Sequence, residues 1–99
     1  MYKLLYLQKT LDDLEEIHFH ISTDSLQAAD NVINSILDAL DNLEAFPFIG
    51  RSVADKLDAK GDYRIIIIKP YLVFYRVIST QVTIYRVLHE KRYYNALFT

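Results

Sequence analysis

The 99-residue chain has no cysteine, which excludes disulfides, thiol nucleophiles and cysteine-ligated zinc. Glycine and proline are down to two each, beside an apolar fraction of 52% and a charged fraction of 24%. Collagen-like, low-complexity and disordered chains do not have that composition. The longest aliphatic run, Ile65–Ile68, falls far short of the ~20 residues that span a bilayer. Met1–Gln8 has neither the length nor the small-residue cleavage site of a secretory signal. The expectation is one soluble, cytoplasmic domain over residues 1–99, with no membrane association.

Cations are scarce in the first half. Residues 1–50 hold only Lys3 and Lys9 against nine acids, a balance of −7, whereas residues 51–99 hold nine bases against four acids, a balance of +5. The split implies a basic working surface carried on an acidic support.

Tyr2–Leu7 reads as a short strand. Thr10 is placed to cap a first helix, with Asp12, Asp13, Glu15 and Glu16 at its positive end. Leu11, Leu14, Ile17, His18 and Ile21 form its apolar stripe as far as Ser22. Asp24 or Ser25 caps a second helix, in which Ala29, Val32, Ile33, Ile36, Leu37, Leu40 and Leu43 share one face. It ends before Phe46-Pro47, because proline pushes its predecessor out of helical geometry. A link as short as Thr23-Asp24 forces the two helices into an antiparallel hairpin. Residues 46–62 read as an irregular connection whose Phe46, Phe48 and Ile49 plug the edge of the core. Tyr63–Ile68, Tyr71–Ile78 and Val82–Leu88 are then strands joined by turns too short for anything but antiparallel pairing. The expected fold is α+β: an antiparallel sheet of about four strands on an N-terminal helical hairpin, in the order β-α-α-β-β-β. A short C-terminal helix, Tyr93–Phe98, follows.

Ile65–Ile68 and Tyr71–Tyr75 are apolar on both sides of the sheet, so something covers part of the second face: the tail helix, another subunit or a partner segment. Pairing Ile78 with Gln81 sets Arg76 opposite Thr83. It also puts Arg76, Thr83, Tyr85, Val87 and His89 on one face, with Arg86 and Leu88 on the other. The face of Arg64 depends on the register of the Lys69-Pro70 turn.

No Gly-rich phosphate loop, His-Glu-x-x-His or Gly-x-Ser-x-Gly motif is present. His18 and His20, two apart on a helix, point to different faces and do not make a metal pair; His18 is an amphipathic edge residue. The feature that stands out is Tyr85-Arg86-Val87-Leu88-His89-Glu90-Lys91-Arg92-Tyr93-Tyr94. Its guanidinium and ammonium groups suit a phosphate, its phenols suit stacking on unpaired bases, and His89 suits proton transfer near neutral pH.

At these residues the chain resembles the RelE/ParE superfamily of toxins from type II toxin–antitoxin modules. The resemblance runs through Asp12-Asp13-Leu14, Leu43–Arg51, Tyr63-Arg64, the strand Tyr71–Val77 and Arg86–Arg92. It implies a toxin neutralised by a cognate antitoxin, in a hetero-oligomer with it. For the RelE-like branch it implies metal-free cleavage of messenger RNA on the ribosome, by attack of a ribose 2′-hydroxyl on the adjacent phosphate, with no cofactor. By position Arg64 and Arg92 match the arginines of that branch, and His89 with Tyr93 or Tyr94 its acid and base. Lys91 is a supporting cation, and Arg76, Tyr85 and Arg86 complete the substrate contacts. This RNA-cleaving toxin is the first expectation. The alternative is the ParE-like branch, which poisons DNA gyrase; the long second helix, the Phe-Pro-x-x-Gly turn and the context of His89 lean that way, and the pI of about 5.8 is low for a protein that enters a ribosome. A further alternative is a non-toxic homodimeric interaction module.

Overall fold

The computed structural model describes residues 1–53 and 62–92. The chain runs β1 (Lys3–Tyr6), α1 (Gln8–Ser22), α2 (Leu26–Asp41), β2 (Arg51–Ser52), β3 (Asp62–Ile68), β4 (Tyr71–Ile78) and β5 (Gln81–His89), with a 3-10 turn at Asn42–Glu44 closing α2. Beyond β5 the backbone turns helical at Glu90–Arg92; the expected tail helix Tyr93–Phe98 lies outside the described residues. The α+β plan, a helical hairpin on one face of a sheet, is the one the sequence implied.

The sheet itself differs in two ways. It has five strands, in the order β1-β5-β4-β3-β2, because two residues of the 46–62 connection pair with β3, Arg51 opposite Ile65 and Ser52 opposite Arg64. It is also mixed: β1 runs parallel to β5, from Lys3 opposite Gln81 to Tyr6 opposite Ile84. Two-residue turns dictate the antiparallel sense of β3, β4 and β5. They say nothing about β1, which the whole helical hairpin separates from the other strands.

Ser25 caps α2 as expected, its Oγ accepting the Ala28 N–H at 3.1 Å. Thr10 does not cap α1. Leu7 takes that position without a side-chain bond, because the buried Thr10 hydroxyl instead donates to the Ile84 carbonyl at 2.8 Å. The reason lies at the sheet. β1 ends opposite Ile84, and from there the first turns of α1 replace it as the neighbour of β5. Thr10 serves one backbone group of that edge, and Asp13 another, its Oδ2 accepting the Val87 N–H at 3.0 Å.

Where the neighbour changes, β5 bulges. Tyr75 pairs with Ile84 but Phe74 pairs with Arg86, so Tyr85 is an extra residue. Alternation holds as far as Arg76 opposite Thr83. The inserted residue then shifts the phase, and Val87 and His89 fall opposite Val73 and Tyr71, on the helix side rather than with Arg76. The β3–β4 turn pairs Ile68 with Tyr71 and so sets Arg64 opposite Tyr75, also on the helix side.

The core lies between hairpin and sheet: Leu14, Ile36, Leu40 and Leu43 against Val73, Tyr75, Val77, Val82, Ile84 and Val87. On the far face Ile65 and Leu72 are buried, while Leu5, Ile67 and Ile78 stay about half exposed. Phe46, Phe48 and Ile49 do not plug the core. They stand exposed, while Pro47 and Gly50 of the same turn are buried.

Candidate functional site

The expected site residues occupy three separate neighbourhoods. The first is built around Arg64. Its Nη1 donates to the carbonyls of Phe48 at 3.0 Å and Gly50 at 2.7 Å, and its guanidinium lies 5.0 Å from the centre of the Phe48 ring. The Gly50 N–H donates to the phenol oxygen of fully buried Tyr75 at 2.8 Å. A Cβ at residue 50 would stand 2.6 Å from that oxygen, so only glycine lets the backbone come so close. The Phe48 ring meets Tyr2 edge-on at 6.2 Å.

The second neighbourhood is on the far face of the sheet. The Arg76 guanidinium lies 4.9 Å from the Tyr63 ring centre, and Tyr63 packs on Tyr85 with centroids 5.8 Å apart. The bulge keeps Tyr85 on this side with Arg76. Arg76 Nε is buried without a hydrogen-bond partner.

The third lies where α1 crosses the end of β5. Arg86 makes a two-pronged contact with Asp13, Nε to Oδ2 at 2.7 Å and Nη2 to Oδ1 at 3.0 Å. The bond to Asp13 raises the Arg86 pKa further, against the opposing effect of burial. His89 sits edge-on to Tyr71, centroids 5.7 Å apart, and its Nδ1 accepts the Lys91 N–H at 3.2 Å. An accepting Nδ1 leaves the ring proton on Nε2. Arg92 lies 3.8 Å from Glu16, both exposed, a contact weak enough to break freely. Glu16, Ile17, His20, Tyr71, His89 and Arg92 border a cleft of about 400 Å³.

His89, Lys91 and Arg92 therefore share one end of the molecule, and Arg86 is tied to Asp13 beside them. Arg64 does not join them. It is two strands across and four residues along from His89, roughly 16 Å at ordinary strand spacings. Arg76 and Tyr85 face away from both. Tyr93 and Tyr94 lie outside the described residues. Among the described residues no cluster of ligating side chains could hold a metal ion, and no helix is long and apolar enough to cross a membrane. His18 bonds Asp30 across the hairpin at 2.7 Å.

Two participants escaped the sequence. Asp13 reads as a helix-dipole acid, and nothing local reveals that it reaches β5. Tyr75 reads as one more apolar strand residue; Gly50, 25 residues earlier, hints that another chain segment approaches closely but not which one.

A mixed five-stranded sheet packed on a helical hairpin, with Arg86, Lys91 and Arg92 at the end of the last strand, defines a small α+β domain. The model of the ParE toxin of the type II toxin-antitoxin system, parDE, matches residues 4–94, and the chain belongs to that family. A solved chain of the chromosomal ParDE system from P. aeruginosa has the same fold, with a TM-score of 0.74 over 90% of this chain and 96% of that one, at 20% identity. No curated protein matches the sequence.

Proposed function

We propose that this ParE-family toxin arrests growth by binding and inhibiting DNA gyrase, and that a cognate antitoxin masks it. The observation that carries this reading is the separation of Arg64 from the cations at the end of β5. Cutting RNA through a 2′-hydroxyl needs a base, an acid and charge-stabilising cations within hydrogen-bonding reach of one phosphate. Here Arg64 is engaged with backbone carbonyls far from His89, and Arg86 is neutralised by Asp13. Family membership points the same way, and the half-exposed apolar residues of the far face offer an antitoxin a surface to cover. In this reading Arg64, Arg76, Tyr85, Arg86, His89, Lys91 and Arg92 serve architecture and recognition.

Brief induction in cells tests it. Plasmid supercoiling should relax within minutes while messenger RNA 5′ ends stay unchanged, and co-expression of the antitoxin should restore growth. New in-frame RNA ends that vanish in Arg92→Ala, with supercoiling intact, would establish the RNA-cleaving alternative instead.

A further inference from the structure

Phe46, Phe48 and Ile49 are 65%, 50% and 60% exposed, three large apolar side chains within four consecutive residues. Contiguous exposed apolar surface on a small protein marks a contact site. This is not a slack loop. The Phe46 N–H donates to Asn42 O at 2.9 Å and the Ile49 N–H to Phe46 O at 3.3 Å. From the sheet, Arg64 grips the Phe48 and Gly50 carbonyls while Tyr75 takes the Gly50 N–H. Two strand side chains, one of them fully buried, thus hold a turn whose apolar groups face water. Residues 45–49 leave between them a shallow dent of about 410 Å³, room for one apolar side chain of a partner.

We infer that the turn 45–50 is the surface this toxin presents to its protein target, and that Arg64 is a positioning residue for it. The inference rests on the gyrase reading above and names the part of the toxin that makes the contact. The chemistry selects the class of partner. A nucleic acid or an anionic membrane would call for a cluster of free cations, whereas Arg64 here is turned to carbonyls and to the Phe48 ring. Exposed Arg51 follows the turn and half-buried Glu44 precedes it, so the rim carries opposite charges at its two ends. That pattern orients a folded protein with an apolar pocket, a carboxylate beside Arg51 and a base beside Glu44. A segment that folds as it binds lies in grooves or along strand edges; a rigid, already ordered aromatic turn suits a preformed pocket and loses little entropy on docking.

The test uses purified toxin, gyrase and cognate antitoxin. Phe46→Ala/Ile49→Ala removes only exposed side chains, so its melting curve should match wild type, while its potency in a supercoiling assay should fall about tenfold or more. Antitoxin affinity should stay within about twofold and Phe46→Leu should retain inhibition. Arg64→Lys should weaken inhibition in the wild type and cost less in the double variant, where Phe48 is the one exposed apolar side chain of the turn left for it to position. A double variant as potent as an active wild type would overturn the inference and leave the gyrase reading standing. So would lost antitoxin affinity with inhibition kept, and additive losses would end the role given to Arg64. A wild-type protein inert on gyrase would remove the reading and the inference together.

Discussion

Tyr75 is wholly buried, yet its hydroxyl is the acceptor for a loop N–H. Tyr75→Phe keeps the packing and strands that donor, which should cost about 1–3 kcal/mol in urea denaturation; a change under about 0.5 kcal/mol would mean that water replaces the phenol. Asp13 does more, accepting from both arms of Arg86 and from the Val87 backbone. Asp13→Ala leaves all three donors unmatched, and a loss of about 2–4 kcal/mol is expected from the same measurement. Tyr6 makes a prediction in pH. Its phenol is pushed above the usual 10.0, by burial first and then by Asp41 and Glu44. The folded chain therefore keeps a proton that the unfolded chain loses above about pH 10, so this contribution is complete below that pH and disappears as pH rises through the folded value. Tyr6→Phe should flatten the alkaline decline in melting temperature, and an unchanged decline would assign it to other groups.

Among the elements, α1 has the least conventional setting, because it succeeds β1 as the neighbour of β5. Thr10→Val should cost about 1 kcal/mol through the lost bond to the Ile84 carbonyl, visible as a drop of roughly 4–8 °C in melting temperature. Thr10→Ser keeps the hydroxyl and should recover most of that loss. The same junction shows what a sequence can reveal. Both helices, the hairpin between them and the three C-terminal strands follow from apolar spacing and short links, which are local. The parallel sense of β1, the Tyr85 bulge and the reach of Asp13 are tertiary, and a single extra residue was enough to move His89 to the other face of the sheet. The polar site residues could be named from the sequence as candidates. Their grouping could not, because it depends on the bulge and on the β3–β4 register. Phe46, Phe48 and Ile49 look like core from composition alone; their exposure is fixed by Arg64 and Tyr75, distant in sequence.

Over the whole molecule, the acidic hairpin and basic strands do not resolve into one cationic face. Asp13 and Glu16 of the hairpin lie against Arg86 and Arg92 of the strand end, so part of the charge asymmetry of the sequence is cancelled by folding. Among the described residues the hairpin still exposes Asp12, Glu15, Asp24, Asp38 and Asp41, an acidic surface that suits a protein target better than a polyanion. The most direct test is therefore a supercoiling assay with purified gyrase, relaxed plasmid and the purified toxin, with a defined messenger RNA incubated beside it on programmed ribosomes. Loss of supercoiling in proportion to added toxin, with the RNA left whole, is the predicted result; full supercoiling alongside cleaved RNA would contradict it.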